Sequence, residues 1–229
     1  PGDGRVKASP PDLSDVRFWV FDMDDTLYPP EQGLMGLVQK RINAFVVEAV
    51  GLAPEEAAVL QRQFLDEHGT TLAGLMANYA VDTERFLHEV HDVPLDGLEP
   101  KPRLAEVLKR LPGQRFVFTN GARDYAGRVL DRLGVADCFA DVFAIEDAAL
   151  TPKPAPATFR RMAERFGLNL QRSVFFEDTP KNLEPAKAMG MHTVLIGDGH
   201  GKPLGPHIDH QAPGLLDFLQ SLSFKDAAA

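Results

Sequence analysis

Residues 18–28 read FWVFDMDDTLY, in which four apolar residues, Phe18 to Phe21, run straight into three carboxylates within four positions: Asp22, Asp24 and Asp25. Two unit negative charges about 4 Å apart repel by about 4 kcal/mol at an effective dielectric near 20, so something must offset such crowding. Asp22 ends the apolar run, and Asp24, two residues on, returns to the same side of the chain. Both carboxylates can therefore point at one reacting atom. Taken alone, the pair also fits an Asp-rich turn that caps a loop.

Three further stretches carry chemistry-bearing residues at the ends of apolar runs. FVFTNG offers the Thr119 hydroxyl and the amides of Asn120 and Gly121, which lead towards a helix N-terminus and suit an anion. In TPKPAPATF, Lys153 stands between two prolines that restrict the backbone, so its ammonium can serve as a fixed point charge for a phosphate. VFFEDTPKN places Glu177 and Asp178 side by side, and two acids at one strand end repel unless a cation or proton lies between them. Each has an ordinary reading as a turn or loop residue. Four accidents at successive strand ends are a poor account of all of them.

The elements that must position these residues are legible in the pattern. FWVF, FVF, DVFAI, SVFF and HTVLI are short, unalternated apolar runs, as expected of strands covered on both faces. Between them RDYAGRVLDRLG and PATFRRMAERFG carry apolar residues at helical spacing and end at Gly134 and Gly167. Strand and helix alternate, which predicts an α/β fold with a doubly wound, Rossmann-like parallel sheet. In such a sheet ligands bind at the carboxyl ends of the strands.

Between Tyr28 and Pro102 no strand-like run occurs. Leu34, Leu37, Val38, Ile42, Phe45, Val46 and Val50 share one helical face closing at Gly51, and further helices are expected after Pro54, after Thr71 and from Asp82, which can cap its helix. Residues 14–28 and 100–200 are thus expected to form the α/β core, 29–99 a small helical domain seated above it, and 201–229 a C-terminal extension. The turn-rich segment 197–214 reads as a loop, and the spacing of its His200, His207 and His210 fits no structural zinc pattern.

Composition excludes several classes. The chain has 229 residues, 44% of them hydrophobic, with a net charge of -9, pI near 5.2 and no massed basic tract. Nucleic acid and anionic membranes are poor partners for it. No apolar run approaches a membrane span and no signal-peptide pattern opens the chain, so a soluble cytoplasmic protein is expected. The single cysteine, Cys138, sits in VADCFADVF without cationic neighbours and reads as a buried small hydrophobe.

The order of these motifs, Asp-x-Asp-x-Thr, then Thr119, Lys153 and the acidic pair, resembles the haloacid dehalogenase-like hydrolase superfamily from about Val16 to Gly199. Asp22 through Pro29 followed by a helical insert, HGTTLAGL at 68–75 and VHD at 90–92 are similar to its pyrimidine 5'-nucleotidase branch. The resemblance implies that Asp22 attacks a phosphate monoester to form an aspartyl phosphate, and that Asp24 acts as general acid and then as base. It further implies Mg²⁺ held by Asp22, the carbonyl of Asp24 and Asp178, with Glu177 ligating directly or through water. Lys153, Thr119 and Asn120 would then hold the phosphate.

In the insert, His68, Gly69, Thr70 and Thr71 sit at a helix junction. Thr70 and Thr71 are expected either to meet the substrate or simply to cap the helix at Leu72. His88 and His91 read as structural. A uridine or cytidine monophosphate preference follows from the resemblance alone. Another small phosphate ester (a sugar phosphate, phosphoglycolate, flavin mononucleotide) and a phosphomutase are alternatives. So is a receiver-like phosphorylated module, against which the insert speaks. Asp25, where the branch often has Asn, reads as a solvated or capping acid, and Asn182 as an amide supporting the acidic pair. Pro185 places the start of the regular helix after Asp178 near Glu184. Oligomeric state is left open.

Overall fold

The computed structural model describes residues 12–199 and 204–222. Each of the five apolar runs forms a strand: β1 (Phe18–Phe21), β2 (Gln114–Phe118), β3 (Asp141–Phe143), β4 (Ser173–Glu177) and β5 (His192–Ile196). A short sixth strand, β6 (His210–Ala212), joins them in one parallel sheet of order β3-β2-β1-β4-β5-β6. Nine α-helices accompany the sheet among the described residues: α1 (Leu34–Val50), α2 (Pro54–His68), α3 (Thr71–Asn78), α4 (Thr83–His91), α5 (Pro102–Arg110), α6 (Arg123–Leu133), α7 (Pro156–Phe166), α8 (Pro180–Ala188) and α9 (Leu215–Ser221).

Both faces of the sheet are covered, which explains the unalternated strands. Trp19 and Phe21 share a core with Val129, Leu130 and Leu133 of α6, Leu108 of α5 and Phe218 of α9. Val20, one residue out of phase, faces the other way among Phe118, Phe175, Phe159 of α7 and Leu183 of α8. Each such side chain contributes about 1.5–3 kcal/mol on burial. Helices α6 and α7 end at Gly134 and Gly167 in left-handed conformation, as the sequence predicts.

Helices α1–α4 build a third core from Phe45, Val46, Phe64, Leu75, Phe86 and Val90. There α3 packs so tightly on α2 that a Cβ on Gly74 would lie 2.1 Å from the Phe64 ring. Asp82 caps α4 through the Arg85 amide at 3.0 Å. Leu34 and Val38 of α1 turn towards the sheet-side core, whereas Leu37 is 37% exposed and belongs to neither cluster.

Two expectations are corrected. The helix after Asp178 begins at Pro180, not near Glu184, and Pro185 lies inside it. Pro180 occupies the first helical position, where a missing N–H costs nothing, and buried Pro185 gives up one helical hydrogen bond while Leu183 and Ala186 beside it pack into the core. Segment 197–214 is not wholly loop, because its end pairs with β5 as β6. Asp209 fixes it, accepting from the Thr193 amide at 3.0 Å and from Lys187 Nζ at 2.5 Å. His207 faces the Pro180 carbonyl at 3.0 Å and His210 stands in β6 against Phe218, while His200 lies outside the described residues. Cys138 is buried, which pushes its thiol up.

Candidate active site

Parallel pairing brings the carboxyl ends of the central strands to one edge. Phe21 of β1 is level with Val117 of β2 and Phe176 of β4, so the next residues, Asp22, Phe118 and Glu177, share one layer. Asp22 is held there by its own amide, which donates to the Phe176 carbonyl at 2.9 Å.

Lys153 reaches this layer from the loop before α7. Its ammonium, 2% exposed, donates to Asp22 Oδ1 at 2.6 Å, Glu177 Oε2 at 2.9 Å and the Phe118 carbonyl at 3.0 Å. All three protons are used, so the charge is fixed rather than swept through a cone. The Phe118 and Phe175 rings flank it, 5.0 and 5.5 Å from the nitrogen. Asn120 anchors the Lys153 backbone: its Oδ1 accepts the Lys153 amide at 2.8 Å and its Nδ2 donates to the Lys153 carbonyl at 3.3 Å. The Asn120 side chain is thus engaged with the loop, whereas the group that the sequence offers to an anion is its main-chain amide. Thr119, also buried, accepts the Gly121 amide at 2.9 Å on its hydroxyl.

Glu177 is enclosed on every side. Oε1 accepts the amides of Asp178 and Thr179, both at 3.1 Å, and Oε2 accepts Lys153 and, at 3.2 Å, Asn182 Nδ2. A carboxylate offers about four acceptor positions, and here they are filled.

Asp24 presents another arrangement. Its Oδ1 accepts two phenols, Tyr28 Oη at 2.5 Å and Tyr125 Oη at 2.8 Å. Burial, then Asp24 beside them, pushes both phenols above their ordinary range, so they remain donors. Neither tyrosine was picked out from the sequence. Tyr125 stands 101 positions from Asp24, and only the fold joins them. Asp25 has φ +58, a left-handed conformation that Asp and Asn tolerate better than other residues with a side chain.

The charges do not balance. Burial first, then Glu177, pushes the Asp22 carboxyl up to about 7, against the pull of Lys153. Glu177 is raised to about 7 mainly by burial, and burial also raises Asp24 against the two phenols. Burial opposes the charge of Lys153, but Asp22 and Glu177 outweigh it and hold the ammonium above its ordinary value. One cation thus faces several carboxylates. Oxygens of Asp22, Glu177 and Asp178 lie within 4.8 Å of one another, and hard oxygen donors so grouped suit Mg²⁺.

A cavity of about 540 Å³ connects these groups to the insert. Asp22, Asp24, Thr119, Asn120, Lys153, Glu177 and Asp178 line it from the sheet, and Thr70 and Thr71 from the α2–α3 junction. Thr70 caps α3, accepting the Ala73 amide at 3.1 Å. Thr71 is buried, and its hydroxyl has no hydrogen-bond partner. His91 also lines the cavity, stacked on Tyr125 with ring centroids 4.5 Å apart. Every residue that sequence reasoning put at the site is therefore found around one cavity.

A family model described as haloacid dehalogenase-like hydrolase matches residues 17–190. The chain belongs to this family. Among the chain's relatives, Phosphate metabolism protein 8 of Saccharomyces cerevisiae is 28% identical over 212 residues, covering 83% of this chain and 66% of that protein, so just under two thirds of its length is spanned. The phosphoglycolate phosphatase of Rhodospirillum rubrum is 27% identical, with 80% of each chain covered. The glyceraldehyde 3-phosphate phosphatase of Methanocaldococcus jannaschii is 26% identical, covering 89% of this chain and 93% of that protein. In fold, a phosphatase of the same superfamily from Thermococcus onnurineus superposes with a TM-score of 0.60 at 21% identity, over 90% of this chain and 96% of that one. The L-2-haloacid dehalogenase of Xanthobacter autotrophicus does so with 0.56 at 20% identity, over 90% and 97%. Among the described residues no helix is long and apolar enough to cross a membrane.

Proposed function

We propose that the protein is a magnesium-dependent phosphate monoester hydrolase that works through an aspartyl phosphate on Asp22, with pyrimidine nucleoside monophosphates as its preferred substrates. The observation that carries the chemistry is Asp22 itself. One of its oxygens is tied to Lys153 at 2.6 Å, the other has only Thr26 Oγ1 at 3.3 Å, and the residue belongs to the wall of the cavity. A carboxylate oxygen so weakly engaged is free to attack phosphorus.

Asp22, the main-chain carbonyl of Asp24 and Asp178 would hold Mg²⁺, which supplies neutralisation of charge on the phosphoryl oxygens. Glu177, its acceptor positions filled, orients Lys153 and the loop after β4 instead of ligating. Lys153 keeps Asp22 ionised and turned to the cavity. The Asn120 amide donates to the phosphoryl oxygens, and Thr119, whose hydroxyl holds the Gly121 amide, shapes that turn. As the bond from phosphorus to the leaving oxygen breaks, Asp24 gives that oxygen a proton; it then takes one from the water that attacks the aspartyl phosphate. An expelled halide needs no proton, so an acid at residue 24 favours phosphate esters over haloacids, although dehalogenases share the fold. The phosphatases among the relatives support the same class.

The insert supports the choice of leaving group. Its wall of the cavity includes Met35, Ile42, Leu72, Phe86 and Val90, with the unpartnered Thr71 hydroxyl among them. The ionisable groups it adds are Asp66 and His91, and burial holds the His91 imidazole down at about 4, hence neutral. A carboxylate on the leaving group would meet no cation on the insert, with Lys181 of α8 on the core's part of the lining, whereas a neutral ring with one polar edge fits the insert's wall. The second reading, a phosphoglycolate or glyceraldehyde 3-phosphate phosphatase, rests on the relatives' activities.

The test is free phosphate released with and without Mg²⁺ from uridine, cytidine, adenosine and flavin monophosphates, 2-phosphoglycolate and glyceraldehyde 3-phosphate. Magnesium-dependent release led by the pyrimidine nucleotides is expected. Release led by 2-phosphoglycolate would overturn the substrate assignment, and isomerised ester without free phosphate would make the enzyme a mutase.

A further inference from the structure

We infer that Tyr28 and Tyr125 are positioning residues that make Asp24 a one-sided acid, confining its transferable proton to Oδ2. This rests on the reading of Asp24 as the acid and base of phosphoryl transfer, and gives a role to two tyrosines that the sequence left without one.

The geometry is specific. Both phenols, each 1% exposed, donate to the same oxygen, Asp24 Oδ1, at 2.5 and 2.8 Å. A phenol carries one proton, and at these distances both protons lie towards Oδ1. An oxygen that already receives two O–H donors has no room for a proton of its own, since a third O–H would face the first two. The proton of the acid form must therefore sit on Oδ2. The two donors also hold the carboxyl plane against rotation about χ2, a torsion that is otherwise broad for aspartate.

The two tyrosines come from different parts of the chain. Tyr28 follows four residues after Asp24 in the turn leaving β1, so the loop is closed on itself. Tyr125 lies in the first turn of α6, and its ring stacks on His91 of α4. Arg128 Nη2 donates to the His91 carbonyl at 2.5 Å, and His91 Nδ1 lies 2.8 Å from the Leu87 carbonyl, so the stack is itself braced. One hydroxyl is thus set by the loop that carries Asp24, and the other by the contact of insert and core.

In the first half-reaction the bond from Asp22 to phosphorus forms and the bond to the leaving oxygen breaks. The electron pair goes to that oxygen, and the Oδ2 proton follows it. In the second, water loses a proton to Oδ2, its oxygen bonds to phosphorus, and Asp22 leaves. The same oxygen serves both, because the phenols never release Oδ1.

The test compares Tyr28→Phe and Tyr125→Phe with wild type, using kcat/KM for an alkyl phosphate, whose leaving group needs the proton, and for p-nitrophenyl phosphate, whose leaving group does not. General acid catalysis is worth about 10²–10⁴ in rate, so partial loss of its alignment is expected to lower the alkyl ester about tenfold per variant and p-nitrophenyl phosphate less than about twofold. In an Asp24→Asn background the selective loss is expected to vanish, since there is no proton left to aim. Equal losses on both esters, no loss on either, or selective losses that persist in the Asp24→Asn background would each overturn the inference. Wild type that releases no phosphate from either ester would instead sink the phosphatase reading itself.

Discussion

Gly69 stands so close to Lys153 that a Cβ on it would lie 3.0 Å from the Lys153 carbonyl oxygen, and 3.5 Å from Pro152 and Pro154. With φ +84, it also holds a backbone conformation that side chains disfavour. The insert thus leans on the loop that carries the buried ammonium, and Thr70 and Thr71 follow directly.

Gly69→Ala is expected to cost about 1 kcal/mol through backbone conformation alone. It is also expected to lower kcat/KM, because the junction must back away from the loop. Thermal unfolding and phosphate release on the same samples check this. A destabilised variant with wild-type kcat/KM would show that the contact is only structural.

Asp22→Asn is expected to abolish phosphate release while the fold persists, since Lys153 keeps Glu177 and the Phe118 carbonyl as partners. Trapping with labelled substrate should find phosphoenzyme in wild type and none in the variant. Near-normal turnover would exclude Asp22 as nucleophile.

Lys153→Met leaves two buried carboxylates without their cation, a change that typically costs about 3–5 kcal/mol. Denaturant unfolding is expected to show a loss of that order in the absence of metal, and Mg²⁺ to recover part of it. A variant as stable as wild type would mean that the carboxylates were already neutral.

Mg²⁺ is expected to raise the melting temperature of wild type in proportion to its binding to the native state. Asp178→Asn should remove most of that increment and Glu177→Gln much less, because Glu177 already receives four donors. Equal losses would assign Glu177 to the metal.

The imidazole of His91 is held near pH 4 instead of 6.5, by burial first and by Arg128 in addition, with the Leu87 carbonyl opposing. As pH falls from 6.5 towards 4 the unfolded chain takes up a proton that the native state refuses, so stability falls across that window, by at most about 3 kcal/mol. His91→Phe keeps a ring for Tyr125 and is expected to flatten this part of the pH–stability profile. An unchanged slope in the variant would locate the titration elsewhere.

Much of the site was legible because strand ends are chemically conspicuous. A strand buried on both faces is written as a solid apolar run, so the polar residue that ends it, Asp22, Thr119 or Glu177, stands out. β6 escaped because it is three residues at the sheet edge and reads HQA, with Ala212 as its one apolar core residue and Asp209 and Lys187 pinning its start. The start of α8 was misplaced because a proline was granted only to a first turn, whereas two prolines share that helix. Asn120 was read for its main-chain amide, and the part its side chain plays in anchoring Lys153, 33 positions away, has no local mark. The tyrosines on Asp24 carry no local mark at all; a buried tyrosine in a helix is usually core, and only a partner 101 positions away makes Tyr125 more.

The placement of β1 bears on how the molecule comes into being. Among the described strands it comes first in sequence, yet its neighbours in the sheet, β2 and β4, begin at residues 114 and 173. During synthesis FWVF must therefore wait as an unpaired apolar stretch while α1–α4, whose shared core draws on residues 45–90, fold as a local unit and shelter it. Asp22 meets Lys153 and Glu177 only once β4 has been made, so a truncated product ending before β4 can carry the insert but no complete catalytic centre.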